Sequence, residues 1–264
     1  TPTVLSAEQL SRILSAVHDG FDLSALREFT VEAGRPDTLC TDKLKALKWA
    51  GVTRISINPQ TLSDKVLAAI GRRHSAGRFY EAFNLARRCG FDNINTDLIA
   101  GLPGDELEGF KYSADSLLEL SPESVTLHTL ALKRASNLMK NGVADIGLQA
   151  LNMIDYGAQR LKAKGYRPYY LYRQSRTVAP AENTGWSKPG YEGLYNVFIM
   201  DETHTVLACG AGGVTKLRQP GGDCIERVFN YKFPYEYISG FDDIIKRKER
   251  VITFYGTSFF QKKS

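Results

Sequence analysis

The chain has 264 residues, 43% of them hydrophobic and 24% charged, which is enough for one large α/β domain with a small extension and excludes a disulfide-stapled miniprotein. Its formal charge of +5, from 34 basic and 29 acidic side chains, is mild, and with no basic groove interleaved with aromatics no nucleic-acid partner is expected. No apolar run approaches the roughly 18 residues of a membrane helix, residue 1 is threonine with no signal-type core after it, and Cys40, Cys89, Cys209 and Cys224 form no close-spaced metal motif, so a soluble chain without a membrane partner in a reducing, cytoplasmic compartment is expected.

The first element is a helix. Ser6 and Gln9 form a capping-box pattern, and Leu10, Ile13, Leu14 and Val17 recur at helical spacing. A short β-type run, Phe29 to Glu32, precedes a helix from Thr41 to Gly51 and a strand from Arg54 to Asn58. The cycle repeats as a helix over 75–89, Gly90 with Phe91, and a strand over 93–99. A helix over 106–120, stopped before Pro122, leads to a strand over 124–130. A helix over 148–164, then Gly165 and Tyr166, leads to a strand over 169–173. Helix, glycine, large apolar residue and strand thus form a recurring unit, which implies βαβ crossovers and a parallel sheet. No glycine-rich phosphate fingerprint opens a helix after the first strand, so a barrel-like sheet is favoured over a dinucleotide-binding one. The units are too few for a closed eight-stranded barrel, and the helix-first start reads as a chain that begins inside a domain. From Gln174 an irregular Pro/Gly-rich stretch leads to two β-type runs, 195–200 and 204–208, expected as a hairpin. A glycine loop over 210–213, a short strand over 227–229 and an amphipathic helix over 234–249 follow. The expected organisation is a partial barrel over 1–168, an α+β extension over 169–255 and an unpatterned tail over 256–264.

In parallel α/β barrels, polar side chains at the carboxyl ends of strands face a shared ligand site. Four successive strands here end in such residues: Glu32; Asn58 and Gln60; Asp97; His128 and Thr129. Any one of them alone reads as a cap or a hydrogen-bonded turn, but four in register point to a site. Arg72, beyond Gly71, begins another loop on that side and has the guanidinium fork that pairs with a carboxylate. His74 and His128 lack a second ligand at metal spacing, so no metal is assigned to this chain. The tyrosines at 166, 169, 170, 172, 191 and 195 read as core and hairpin packing, or as a wall for a large flat ligand.

Five ordered blocks carry a resemblance: 29–36 (FTVEAGRP), 54–61 (RISINPQT), 70–74 (IGRRH), 93–104 (NINTDLIAGLPG) and 126–131 (TLHTLA). They resemble consecutive blocks of the oxygen-independent coproporphyrinogen III oxidase family, radical S-adenosylmethionine (SAM) enzymes of haem biosynthesis. Gly34-Arg35-Pro36, Asn58-Pro59-Gln60 and Lys133 to Ser136 resemble most its coproporphyrinogen dehydrogenase (HemZ-type) branch, and the similarity continues through Lys188 to Gly190, Glu192 to Asn196 and Gly210 to Gly212. The resemblance implies a partial (βα)6 barrel whose strand ends hold SAM against a [4Fe–4S] cluster, with Glu32, Gln60, Arg72, Asp97 and Ala131 at the matching positions. In such a site Arg72 pairs the SAM carboxylate, Glu32 and Asp97 take its ammonium and ribose hydroxyls, Gln60 makes amide contacts and Ala131 offers backbone to the adenine. The implied reaction splits SAM at the reduced cluster, and the resulting radical takes hydrogen from a propionate of the porphyrinogen before carbon dioxide leaves, with an electron donor or acceptor as partner. The family's three-cysteine cluster motif is missing from this sequence, which reads as a fragment whose cluster loop and first strands lie upstream. Two other functions remain open: a haem-binding or haem-chaperone protein of the same superfamily, and an unrelated barrel enzyme for a phosphorylated metabolite.

Overall fold

The computed structural model describes residues 1–131 and 143–260, so the Lys133 to Ser136 block lies outside the described residues. The chain divides into two compact units, Thr1–Leu194 and Tyr195–Ser264.

The first unit is built on a six-stranded mixed sheet in the order β1-β2-β3-β4-β6-β5. Strands β1 (Thr30–Gly34), β2 (Arg54–Ile57), β3 (Ile94–Ala100) and β4 (Ser124–Thr129) are parallel. The fold class is α/β, as expected. The sheet is not parallel throughout, however: β6 (Asn183–Ser187) runs antiparallel to β4, and β5 (Arg167–Tyr172) antiparallel to β6. The expected boundary after residue 168 therefore falls inside β5, whose pairing keeps it in the main sheet. Strand β6 is masked in the sequence because Gly185 and the flanking prolines weaken its β pattern; in the fold the Tyr170 ring covers Gly185, its register partner.

Helices α1 (Ala7–Gly20), α2 (Thr41–Trp49), α3 (Asp64–Ala69), α4 (Ala76–Arg88), α5 (Leu107–Glu119) and α6 (Val143–Ala163) alternate with the strands. Helix α1 begins with the capping box, the Gln9 amide donating to the Ser6 hydroxyl and the Ser6 amide to the Gln9 side chain. The recurring glycine has a single physical cause. Gly51, Gly90 and Gly165 have φ of 83°, 85° and 84°, and the amides of Val52, Phe91 and Tyr166 donate back to Leu47, Ala86 and Leu161 carbonyls. This left-handed cap ends each helix and drops the following apolar residue into the core.

Alternation along the strands sets the two faces of the sheet. Val31, Ala33, Ile55, Ile57, Ile94, Leu98, Val125 and Leu127 join one core cluster with Leu44, Leu47, Phe79, Phe83, Phe110, Leu117 and Met153 of the helices. The intervening residues, Glu32, Ser56, Asn95, Asp97, Thr126 and His128, form the opposite face. A doubly wound sheet is apolar on both faces, whereas this one is polar on the face without helices.

The second unit holds an antiparallel pair, β7 (Val214–Arg218) with β8 (Ile225–Phe229), and helices α8 (Pro234–Ser239) and α9 (Phe241–Phe260). The hairpin expected over 195–208 is not formed. Residues Leu194–Asp201 are a helix, α7, because a short continuous apolar run carries no period of its own, and the Glu28 carboxylate accepts the Leu194 amide at 2.6 Å where the helix begins. Helix α9 also takes in the start of the expected tail, and residues 261–264 lie outside the described residues.

Candidate functional site

The polar face is held by a hydrogen-bonded lattice that crosses the strands. Ser124 and Thr126 hydroxyls donate to Asn95 Oδ1 at 3.1 and 3.4 Å, and Asn95 Nδ2 donates to Asp97 Oδ1 at 2.8 Å. Ser56 lies 3.4 Å from the same Asn95 Nδ2 and donates to Asn58 Oδ1 at 2.7 Å. His128 Nε2 stands 3.5 Å from Asp97 Oδ2. Tyr170 and Tyr172 of β5 complete the wall: Tyr170 meets Thr126 at 3.4 Å, Tyr172 meets His128 Nδ1 at 3.3 Å, and the two rings stack with centroids 6.3 Å apart. An irregularity in the pairing of β5 between Pro168 and Tyr170 brings the Tyr169 ring 4.8 Å from that of Tyr170.

Glu32 is exposed, on the polar face of β1. Its carboxyl pKa is pushed up from its ordinary value, first by lost hydration and next by the Asp97 charge; Ser56, Arg54 and His128 oppose both. At the other end of β2, buried Arg54 donates to the Tyr191 carbonyl at 3.1 Å and to the Tyr169 hydroxyl at 3.4 Å.

Gln60 follows β2 in a left-handed conformation, φ 69°, that a non-glycine residue adopts only when its surroundings impose it. Strand β3 imposes it: the Gln60 amide donates to the Asp97 carbonyl at 3.1 Å, and its carbonyl accepts the Ile99 amide at 2.9 Å. Gly71 caps α3 with φ 71°, so that Arg72 emerges toward Gln60 and donates to its Oε1 at 3.4 Å. Buried His74 reaches the Pro59 carbonyl at 3.2 Å, next to Gln60, and burial pushes its pKa down. Ala131 lies just past β4, bridged to Thr177.

The structure thus sets Gln60 and Ala131 just past the carboxyl ends of β2 and β4, with Arg72 joined to them through Gln60. Glu32 and Asp97, expected at strand ends, lie instead inside β1 and β3 on the polar face behind that edge, because both strands run on to Gly34 and Ala100. Sequence reasoning had named these residues and His128, and Tyr170 and Tyr172 as core packing or a ligand wall, but it passed over Asn95, Ser56 and Thr126 as lining. Their signal was present as polar residues at every second position of β2, β3 and β4. The donor chemistry fits SAM: two carboxylates for an ammonium and ribose hydroxyls, and an exposed guanidinium for a carboxylate. It does not fit a cluster. Among the described residues no three His, Cys, Asp or Glu side chains come together to hold a metal, and the four cysteines are free.

Residues 2–117 match the family model of the radical SAM superfamily. The Escherichia coli coproporphyrinogen III oxidase HemN, reported as a radical SAM enzyme, superposes with a TM-score of 0.71 at 21% identity, over 92% of this chain and 55% of its own, which establishes the shared fold. Residues 2–117 thus carry a radical SAM domain, of a superfamily that uses SAM and a [4Fe–4S] cluster. The oxygen-independent coproporphyrinogen-III oxidase-like protein HemZ of Bacillus subtilis is 39% identical over 95% of this chain and 52% of its own length. The heme chaperone HemW of Lactococcus lactis is 34% identical over 81% and 54%. The chain is thus similar both to a coproporphyrinogen oxidase-like protein and to heme chaperones, and it spans about half the length of the curated relatives it matches. No helix among the described residues is long and apolar enough to cross a membrane.

Proposed function

We propose that the chain forms the SAM-binding and porphyrin-facing part of a cytoplasmic radical SAM enzyme that oxidatively decarboxylates coproporphyrinogen III. The observation that carries this reading is the polar sheet face, where two carboxylates inside β1 and β3 lie behind a carboxyl edge that holds a strained glutamine and the arginine bonded to it. When bound beside a reduced cluster, SAM supplies the radical that abstracts hydrogen. The chain's residues orient it: Arg72 pairs its carboxylate, Glu32 and Asp97 take its ammonium and ribose hydroxyls, Gln60 anchors Arg72, and Ala131 offers backbone to the adenine. Tyr170 and Tyr172 wall the face and limit water at the site. The cluster ligands are assigned to a segment of the whole protein outside this chain, and an electron donor or acceptor completes the reaction.

A haem-chaperone role is the second reading, favoured by the similarity to HemW proteins. The deciding experiment is anaerobic incubation of the cluster-loaded full-length protein with SAM and coproporphyrinogen III. The oxidase reading expects 5′-deoxyadenosine formed in step with decarboxylated product. Retention of added haem without product supports the chaperone reading and overturns the first.

A further inference from the structure

His128 stands between two groups that come from different strands. Its Nε2 faces Asp97 Oδ2 at 3.5 Å, and its Nδ1 faces the Tyr172 hydroxyl at 3.3 Å. The other Asp97 oxygen is already engaged by Asn95. An ionised carboxylate can only accept, so the nitrogen facing Oδ2 is the one that carries hydrogen. In a neutral imidazole Nδ1 is then the acceptor, and the Tyr172 hydroxyl is its donor. Tyr172 keeps that proton, because burial first and the Asp97 charge after it push its pKa up against the opposing Asn183 contact. The ring has little freedom to turn. Tyr172 packs against it edge-on with centroids 6.4 Å apart, and Tyr170 stacks on Tyr172 in turn. Asp97 is therefore held from its own strand by Asn95 and approached from β4 by His128.

We propose that His128 is a positioning residue: with its tautomer fixed by Tyr172, it donates to the outer oxygen of Asp97 and presents that carboxylate to the hydroxyl or ammonium groups of the ligand. The proposal rests on the reading of Asp97 as a SAM-binding residue. It assigns His128 no contact with the ligand and no role as a metal ligand, which separates it from the strand-end residues around it. An orienting partner of this kind tightens its contact once the site is filled, so the loose 3.5 Å spacing is the expected starting point.

The test is calorimetric titration of SAM into the cluster-loaded full-length protein and its variants. His128→Leu should weaken SAM binding by about tenfold, the scale of one hydrogen bond to a charged group. His128→Gln, whose amide nitrogen reaches the place of Nε2, should recover most of the loss. In an Asp97→Ala background, His128→Leu should add nothing, since the partner it works through has gone. Wild-type affinity in His128→Leu alongside a weakened Asp97→Ala overturns the proposal, and so do additive losses in the double variant. Unchanged affinity in Asp97→Ala overturns the SAM-site reading itself. Nitrogen-15 histidine spectra of the protein before cluster loading then judge the pair independently of SAM. An Nε2–H tautomer for His128 that shifts in Tyr172→Phe and Asp97→Asn supports the coupling, and an Nδ1–H tautomer overturns it.

Discussion

Asp105, in the loop between β3 and α5, provides a direct test of how this fold handles a buried charge. The residue is 6% exposed, and its carboxylate accepts from the Thr61 hydroxyl at 3.5 Å. Burial raises its carboxyl pKa from 3.8 to about 6, helped by the neighbouring Glu106 charge and opposed by the Glu106 amide and Thr61. A raised carboxyl in the folded state means that the folded state holds the proton more tightly. The stability it contributes is fully present below pH 3.8 and is lost as pH rises through about 6. A shift of roughly two units at about 1.4 kcal/mol each amounts to about 3 kcal/mol, most of it lost between pH 4 and pH 8. Asp105→Asn keeps the acceptor oxygen and removes the charge. Urea denaturation of wild type and variant across that range should therefore show the variant gaining about 2–3 kcal/mol on wild type, with a plateau above pH 7. A flat difference, or one of opposite sign, would refute the assignment of Asp105 as a buried carboxyl without a cationic partner among the groups that shift it.

Other predictions concern the polar face and the cofactors. A Cβ at Gly185 would overlap the Tyr170 ring, so Gly185→Ala should cost about 1–3 kcal/mol and change the near-ultraviolet dichroism of the tyrosines; an unaltered melting temperature and spectrum would show that the ring does not lie there. In the cluster-loaded full-length protein, Asp97→Ala should weaken SAM binding by about 1–3 kcal/mol. Arg72→Lys should weaken it as well, since an ammonium lacks the guanidinium fork; wild-type calorimetric affinity in both would mean that these residues only cap turns. The 264-residue chain reconstituted anaerobically with iron and sulfide should give no stoichiometric [4Fe–4S] signal by electron paramagnetic resonance, because its free cysteines do not form a ligand group. A full cubane signal would show that they do converge.

The parallel half of the fold was legible because its signals are local. Each glycine cap, each buried residue after it and each strand lies within about twenty residues of chain, and the capping box at Ser6 is shorter still. The antiparallel additions were not, since β6 is recognisable only once Tyr170 is seen lying over Gly185. The run from Leu194 to Asp201 lacks a period that separates helix from strand, and its helical start is fixed by Glu28, far away in sequence. For the site, the strand-end residues were visible by position. The contacts among them were not: Gln60 is held left-handed by β3, and His128 meets Tyr172 across 44 residues of chain.

The account rests on the carboxyl edge of β1 to β4 as the place where SAM lies. Crystals of the cluster-loaded full-length protein soaked with SAM test this most directly, through the difference density of the ligand. The account predicts the ligand's carboxylate on Arg72 and its ammonium or ribose hydroxyls within hydrogen-bonding distance of Glu32 and Asp97. Density for SAM away from that edge, with Glu32 and Asp97 left facing solvent, would contradict it.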